Sequence, residues 1–192
     1  MFAGAKNMPK KLSEMTLEEL WQLFPIFLTE PNPAWKTWFS EEKERLLKNL
    51  PENKVLSVHH VGSTAIKGIW AKPIIDILLE TNDENLLREE IKKAGYILMS
   101  ESQDRLSFNK GYTEIGFAER VFHLHVRRKG DNAEIFFRDY LNKHPDKAKE
   151  YEKLKLALWK KYEHDRDGYT NQKSEMVSVL TNLAKQEFPN KH

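Results

Sequence analysis

The chain has 192 residues, with 31 Lys and Arg against 29 Asp and Glu, a formal net charge of +2 and no cysteine. The length suits one domain with extra helices; the missing thiols exclude disulfide scaffolds, cysteine nucleophiles, iron–sulfur clusters and Cys-type zinc sites. Near-balanced charge argues against a dedicated nucleic-acid binder, no apolar run nears the ~20 residues of a membrane span, and Met1 to Lys11 lack a signal-peptide apolar region, so a cytoplasmic protein is expected.

The first third, 1–52, reads as a helical segment. Thr16 and Glu19 form a capping box before Leu17, Leu20, Trp21 and Phe24, and Pro25 ends or bends that helix. Asn32 then caps a second helix with Pro33 at its first position, and Trp35, Trp38, Phe39, Leu46, Leu47 and Leu50 recur near helical spacing up to Pro51.

The middle, 53–130, changes period. Strands are expected at Val55 to His60, Pro73 to Glu80, Tyr96 to Met99, roughly Tyr112 to Phe117, and Val121 to Arg127. One helix interrupts them, with Thr81 and Glu84 as a second capping box, Leu86, Leu87 and Ile91 as its buried stripe and Gly95 at its end. The final part, 131–192, returns to helix at Ala133 to Asn142, Pro145 to about Tyr162 and Thr170 to about Gln186, with Asp167-Gly168 as a turn before the last. The order predicts an α/β (α+β) fold, a mixed sheet flanked by helices with helical additions at both ends, in a single domain over 1–192.

Chemistry concentrates at His59-His60-Val61-Gly62-Ser63-Thr64. A strand that ends in Gly-Ser and opens a short helix exposes free N–H groups, and with a hydroxyl these form a cradle for phosphate. The competing reading is a plain tight turn. Asp76 sits in the otherwise apolar Ile74 to Leu79, where a carboxylate needs a metal, a cation or hydrogen-bond donors. Alternation puts Asp76, Leu78 and Glu80 on one face, so Asp76 and Glu80 are candidate Mg²⁺ ligands; pairing of Asp76 with Lys72 or an Arg is the bland alternative.

His123, His125 and Arg127 share one face of a late strand, which suits metal ligation, proton transfer or phosphate binding, or simply a satisfied structural pair. Of His59 and His60, at most one can join a common site. Lys67, Lys72, Arg105, Arg138 and Lys173 are further cationic candidates; Arg138 is either a phosphate clamp or a partner of Asp139, and Lys173 is by default a solvated lysine. Gly-x-Ser-x-Gly, Gly-x-Gly-x-x-Gly and Walker sequences are absent.

These residues resemble the GrpB family of bacterial proteins. The resemblance rests on His60-Val61-Gly62-Ser63-Thr64-Ala65-Ile66 with Gly68, Ala71-Lys72-Pro73-Ile74-Ile75-Asp76-Ile77, His123-Leu124-His125-Val126 and Phe137-Arg138-Asp139-Tyr140-Leu141 with His144-Pro145. It continues through Tyr151, Leu154-Lys155 and Asp165-Arg166-Asp167-Gly168-Tyr169-Thr170 with Lys173-Ser174. It implies a nucleotidyltransferase-like fold. In that superfamily a Gly-Ser turn and an acid-x-acid pair hold a nucleotide and Mg²⁺, which places nucleotide phosphates at Gly62, Ser63 and Thr64 and a metal on Asp76; the second acid position is Leu78.

The leading expectation is a nucleotide or phosphorylated small-molecule ligand held with Mg²⁺ on Asp76, with a nucleotidyl group transferred to an acceptor. Lys72, Arg138 and Lys173 would neutralise phosphate, and His123 or His125 would act as ligand or general base. Alternatives are a non-catalytic nucleotide or phosphate sensor that lacks the second acid, a phosphoesterase with Zn²⁺ or Mn²⁺ on His123, His125 and Asp76, and an interaction module using Trp35 and Trp38.

Overall fold

The computed structural model describes residues 10–189. Helices α1 (Leu17–Leu23) and α2 (Ala34–Asn49) lead into strands β1 (Ser57–Val61) and β2 (Ile74–Thr81). Helix α3 (Arg88–Lys93) precedes β3 (Ile97–Ser102), β4 (Arg105–Thr113) and β5 (Gly116–Arg128), and α4 (Ala133–Lys143), α5 (Pro145–Lys161) and α6 (Arg166–Glu187) close the chain.

The strands form one five-stranded sheet in the order β1-β2-β5-β4-β3. Only β2 and β5 are parallel; the other neighbours are antiparallel. Alternation along β2 sends Ile75, Ile77 and Leu79 into a core with Leu124, Val126 and Phe108 of the sheet, Trp35 and Leu46 of α2 and Leu50 directly after it. Each such buried side chain contributes about 1.5–3 kcal/mol. The opposite face carries Asp76 and Leu78. There Leu78 packs with Val61 and with Ile135 of α4, and α4 to α6 form a second core with Ile66 and Ile69.

Local signals in the first third act as expected. Thr16 Oγ1 accepts from Glu19 N while Glu19 accepts from Thr16 N, completing the capping box, and Asn32 Oδ1 accepts from Ala34 N at 2.9 Å. Trp35 is buried in the core and Trp38 packs against it, so these rings do not serve as an exposed contact surface.

Three expectations are corrected. The proposed capping box at Thr81 and Glu84 is absent: Thr81 ends β2, Asp83 caps the following turn through Asn85 N, and Glu84 pairs with Arg128. Tyr112 to Phe117 is the hairpin between β4 and β5, not a strand of its own. Gly111 (φ 91°) sits at a register shift in β4 where a Cβ would lie 2.3 Å from the Arg120 carbonyl oxygen; this glycine bulge breaks the alternation that marks a strand. Finally, Asp167-Gly168 lies inside the first turn of α6. Asp165 caps that helix through Gly168 N, and a Cβ at Gly168 would lie 2.2 Å from Asp165 Oδ2, so the glycine permits the cap.

Candidate functional site

Strand register brings the site together. Val61 pairs with Asp76 across β1 and β2, and Asp76 pairs with His123 across β2 and β5. Directly after Val61, Gly62 turns the chain at φ 70° into a short 3-10 turn over Ser63–Ala65. A Cβ at Gly62 would stand 2.2 Å from Asp76 Oδ2, so only glycine lets the backbone pass over this carboxylate.

Asp76 Oδ1 lies 3.3 Å from His123 Nδ1 and 3.4 Å from His125 Nε2. The partners on either side of each ring assign its tautomer. The Asp76 carboxylate can only accept, so His123 carries a proton on Nδ1, and Nε2 of the neutral ring then accepts from the Tyr112 hydroxyl at 2.8 Å, whose oxygen accepts from Arg166 at 3.0 Å. Arg127 Nη2 lies 3.3 Å from His125 Nδ1 and can only donate, so the His125 proton is on Nε2 and also faces Asp76. Burial opposes ionisation of Asp76, but the hydrogen bonds from His123 and His125 outweigh it and hold the carboxyl well below the usual range. Burial lowers His123, in keeping with a neutral ring.

This geometry does not fit an ion held by the two histidines. Their lone pairs are engaged by Tyr112 and Arg127, and their protons point at the carboxylate. Among the described residues no group of three or more His, Asp or Glu is placed to hold a metal. Glu80 is removed from the set altogether: it accepts from Ser57 Oγ at 2.6 Å and Gly130 N at 2.9 Å. Between it and Asp76 on that face stands Leu78, with no exposed surface. What remains for a cation is Asp76 Oδ2, the oxygen beside Gly62.

Next to Asp76 is a cavity of about 210 Å³ lined by Gly62, Ser63, Lys72 and His123 from the sheet side and by Tyr151, Lys155, Tyr169 and Lys173 from α5 and α6. Lys72 and Lys173 lie over the Tyr169 ring at 5.5 and 4.0 Å, and among the described residues neither is within ion-pair distance of a carboxylate. Lys155 is 2% exposed and its Nζ donates to the Trp70 carbonyl. Burial, reinforced by mutual repulsion, lowers Lys72 and Lys155 to about 7, and burial lowers Lys173 to about 8. Among the described residues the buried Tyr169 hydroxyl has no hydrogen-bond partner, and burial raises its pKa so that it keeps its proton. Tyr151 is likewise raised by burial, to about 12.

Of the residues expected at the site, Gly62, Ser63, Lys72, Asp76, His123 and Lys173 line this cavity, and His125 supports Asp76 from behind. Others are used elsewhere. Thr64 is buried and donates to the Ile74 carbonyl at 3.1 Å, with His60 Nε2 at 3.0 Å from its oxygen, so it ties the turn to β2 instead of facing a ligand. His60 stacks on Phe39 and burial lowers it to about 4. Arg138 donates to Asp139 at 2.7 Å and to the His60 carbonyl at 2.8 Å, clamping α4 to β1. Arg105 pairs with Asp131, and Lys67 is exposed. Reading the sequence missed Tyr151, Lys155 and Tyr169 as cavity residues, as well as the supporting roles of Tyr112 and Arg166. A buried-face lysine, Lys155 next to Leu154 in an amphipathic helix, was the available signal.

The family model described as GrpB protein matches residues 25–182. The glutamate-rich protein GrpB of Alkalihalophilus pseudofirmus is 39% identical over 165 residues, covering 82% of this chain and 94% of that protein. A UPF0157 protein of Pseudomonas aeruginosa is also 39% identical, over 80% of this chain and 65% of its own length, and the UPF0157 protein YqkA of Bacillus subtilis is 32% identical over 91% of this chain and 52% of its own length. The chain therefore spans about two thirds and about half of those two relatives. The crystal structure of the conserved protein GrpB from Enterococcus faecalis superposes with a TM-score of 0.74 at 30% identity, covering 84% of this chain and 99% of that one. The chain belongs to the GrpB family.

Proposed function

We propose that the protein binds a phosphorylated small molecule, nucleotides included, by placing a phosphate group in the cavity between the Gly62-Ser63 turn and α6. The observation that carries this reading is the lining. Among the described residues, the half-buried Lys72 and Lys173 line the cavity without carboxylate partners and the buried Tyr169 hydroxyl has no acceptor, and cations and donors withdrawn from water are costly unless a partner meets them. A phosphate in the cavity would supply that partner for the two lysines. The turn adds backbone N–H groups and the Ser63 hydroxyl.

Mg²⁺ would be held by Asp76 Oδ2 together with the ligand's own phosphate oxygens, in keeping with its habit of taking few carboxylates; there it would neutralise charge next to Asp76. The support favours binding over two-metal nucleotidyl transfer, because the second acid position is the buried Leu78. The test is titration calorimetry with ATP, GTP, CTP, UTP and inorganic phosphate, with and without Mg²⁺, alongside a pyrophosphate-release assay. Binding without turnover is expected; turnover by the clean wild-type protein rejects the non-catalytic form of the reading, and absence of any binding rejects the reading itself.

A further inference from the structure

The cavity of about 210 Å³ is below the roughly 300–1,000 Å³ of typical small-molecule pockets. It holds a phosphate group and little more, so the remainder of a ligand must lie outside it. Lys72 and His123 are walls of the cavity and also of a second space, a groove of about 890 Å³ between the N-terminal helix, β3 and the start of α6.

The groove differs in character from the cavity. The end it shares with the cavity is cationic and hydroxylic, with Lys72, Arg166 and Tyr112, while most of its remaining wall is apolar, with Leu17, Leu20 and Trp21 on one side and Leu98 and Met99 on the other. Leu17 is 56% exposed and Met99 57%; large apolar side chains left open along a concave surface mark a binding site more often than scattered ones do.

We infer, resting on the reading above, that the ligand is a phosphate ester whose organic body is apolar: its phosphate sits among Lys72, Lys155 and Lys173, and its body runs along the groove between Trp21 and Met99. The charge arrangement sets the orientation, since the cations stand at the shared wall and the apolar side chains lead away from it. The size of the groove admits a body of ring or chain dimensions. Asn109, Glu114 and Asp167 also line the groove, but the larger share of its wall is the apolar surface of Leu17, Leu20, Trp21, Ile97, Leu98 and Met99, and the two acids disfavour an anionic body there.

Calorimetry with three probes tests this: inorganic phosphate, 1-naphthyl phosphate and AMP, whose body is of comparable size but polar. 1-Naphthyl phosphate is expected to bind at least about tenfold tighter than phosphate and tighter than AMP, from burial of its rings. In the double variant Leu17→Gln with Met99→Gln, two exposed positions whose replacement leaves the core intact, the ratio of naphthyl phosphate to phosphate affinity is expected to fall to within about threefold of one. Equal binding of phosphate and naphthyl phosphate, tighter binding of AMP, or a ratio that survives the double variant overturns the inference while leaving phosphate binding standing. Silence of all three probes overturns both.

Discussion

Gly62 and Asp76 occupy one another's space: the carboxylate fills the volume a Cβ at Gly62 would need. Gly62→Ala combines that overlap with an unfavourable positive φ, so we expect a loss of about 1–3 kcal/mol in a denaturant melt together with lost ligand binding. Among the described residues Asp76 is also the single carboxylate in the cavity's lining. Asp76→Asn should therefore tighten metal-free binding of sulfate, a dianion that does not titrate near neutrality, and abolish any gain from Mg²⁺ for phosphate ligands; weaker sulfate binding by this variant would contradict the assigned charge balance. The lysines give the pH dependence its sign. Lys72 and Lys155 lose their protons near 7 and Lys173 near 8, below the ordinary 10.5 of an unfolded lysine. Sulfate affinity is thus expected to fall from about pH 6 to pH 9. The ligand-free fold should move the other way, gaining stability as pH rises from about 7 towards 10.5, because over that window the unfolded chain holds more protons. Thermal melts with and without sulfate measure both slopes; parallel slopes would contradict the account.

At the scale of elements, α2 is fastened to the sheet by one buried acid. Glu42, 5% exposed, accepts from Tyr96 at 2.8 Å, Lys110 at 2.9 Å and Arg45 at 3.0 Å. Glu42→Ala leaves Tyr96 and Lys110 without their acceptor, while Arg45 keeps the Ala94 carbonyl, and should cost about 3 kcal/mol, read as a lower melting midpoint with sulfate binding retained. Elements with strong periodicity were legible in the sequence: α2 from Asn32 and its apolar spacing, β2 from its apolar run, and α5 from Pro145 and its stripe. What escaped was governed by contacts distant in sequence. The strand character of Arg105 to Thr113 is hidden by Gly111, whose reason is the Arg120 carbonyl across the hairpin. The start of α6 is hidden by Gly168, whose reason is the Asp165 cap. The sheet half of the site was readable because strand alternation fixes which residues share a face. The helical half was not, since an amphipathic pattern cannot say which turn of α5 or α6 meets the Gly62 turn.

Across the whole molecule, the cavity is a seam between two bodies of packing: Gly62, Ser63, Lys72, Asp76 and His123 belong to the sheet and its turns, and Tyr151, Lys155, Tyr169 and Lys173 to the helical layer. A bound anion would bridge them. Hydrogen exchange is expected to slow on sulfate binding in both the Gly62 turn and the first half of α6, with β3 and the outer part of β4 unaffected; protection confined to one layer would contradict a bridging ligand. Among the described residues no helix is long and apolar enough to cross a membrane.

The most direct test of the central claim, that the lysine-lined cavity is an anion site, is calorimetric titration of sulfate into the wild-type protein and into Lys72→Met and Lys173→Met at pH 6.5. Saturable binding at one site, weakened at least about tenfold by either substitution while the circular dichroism spectrum is retained, is the predicted result. Unchanged sulfate affinity in both folded variants would contradict it.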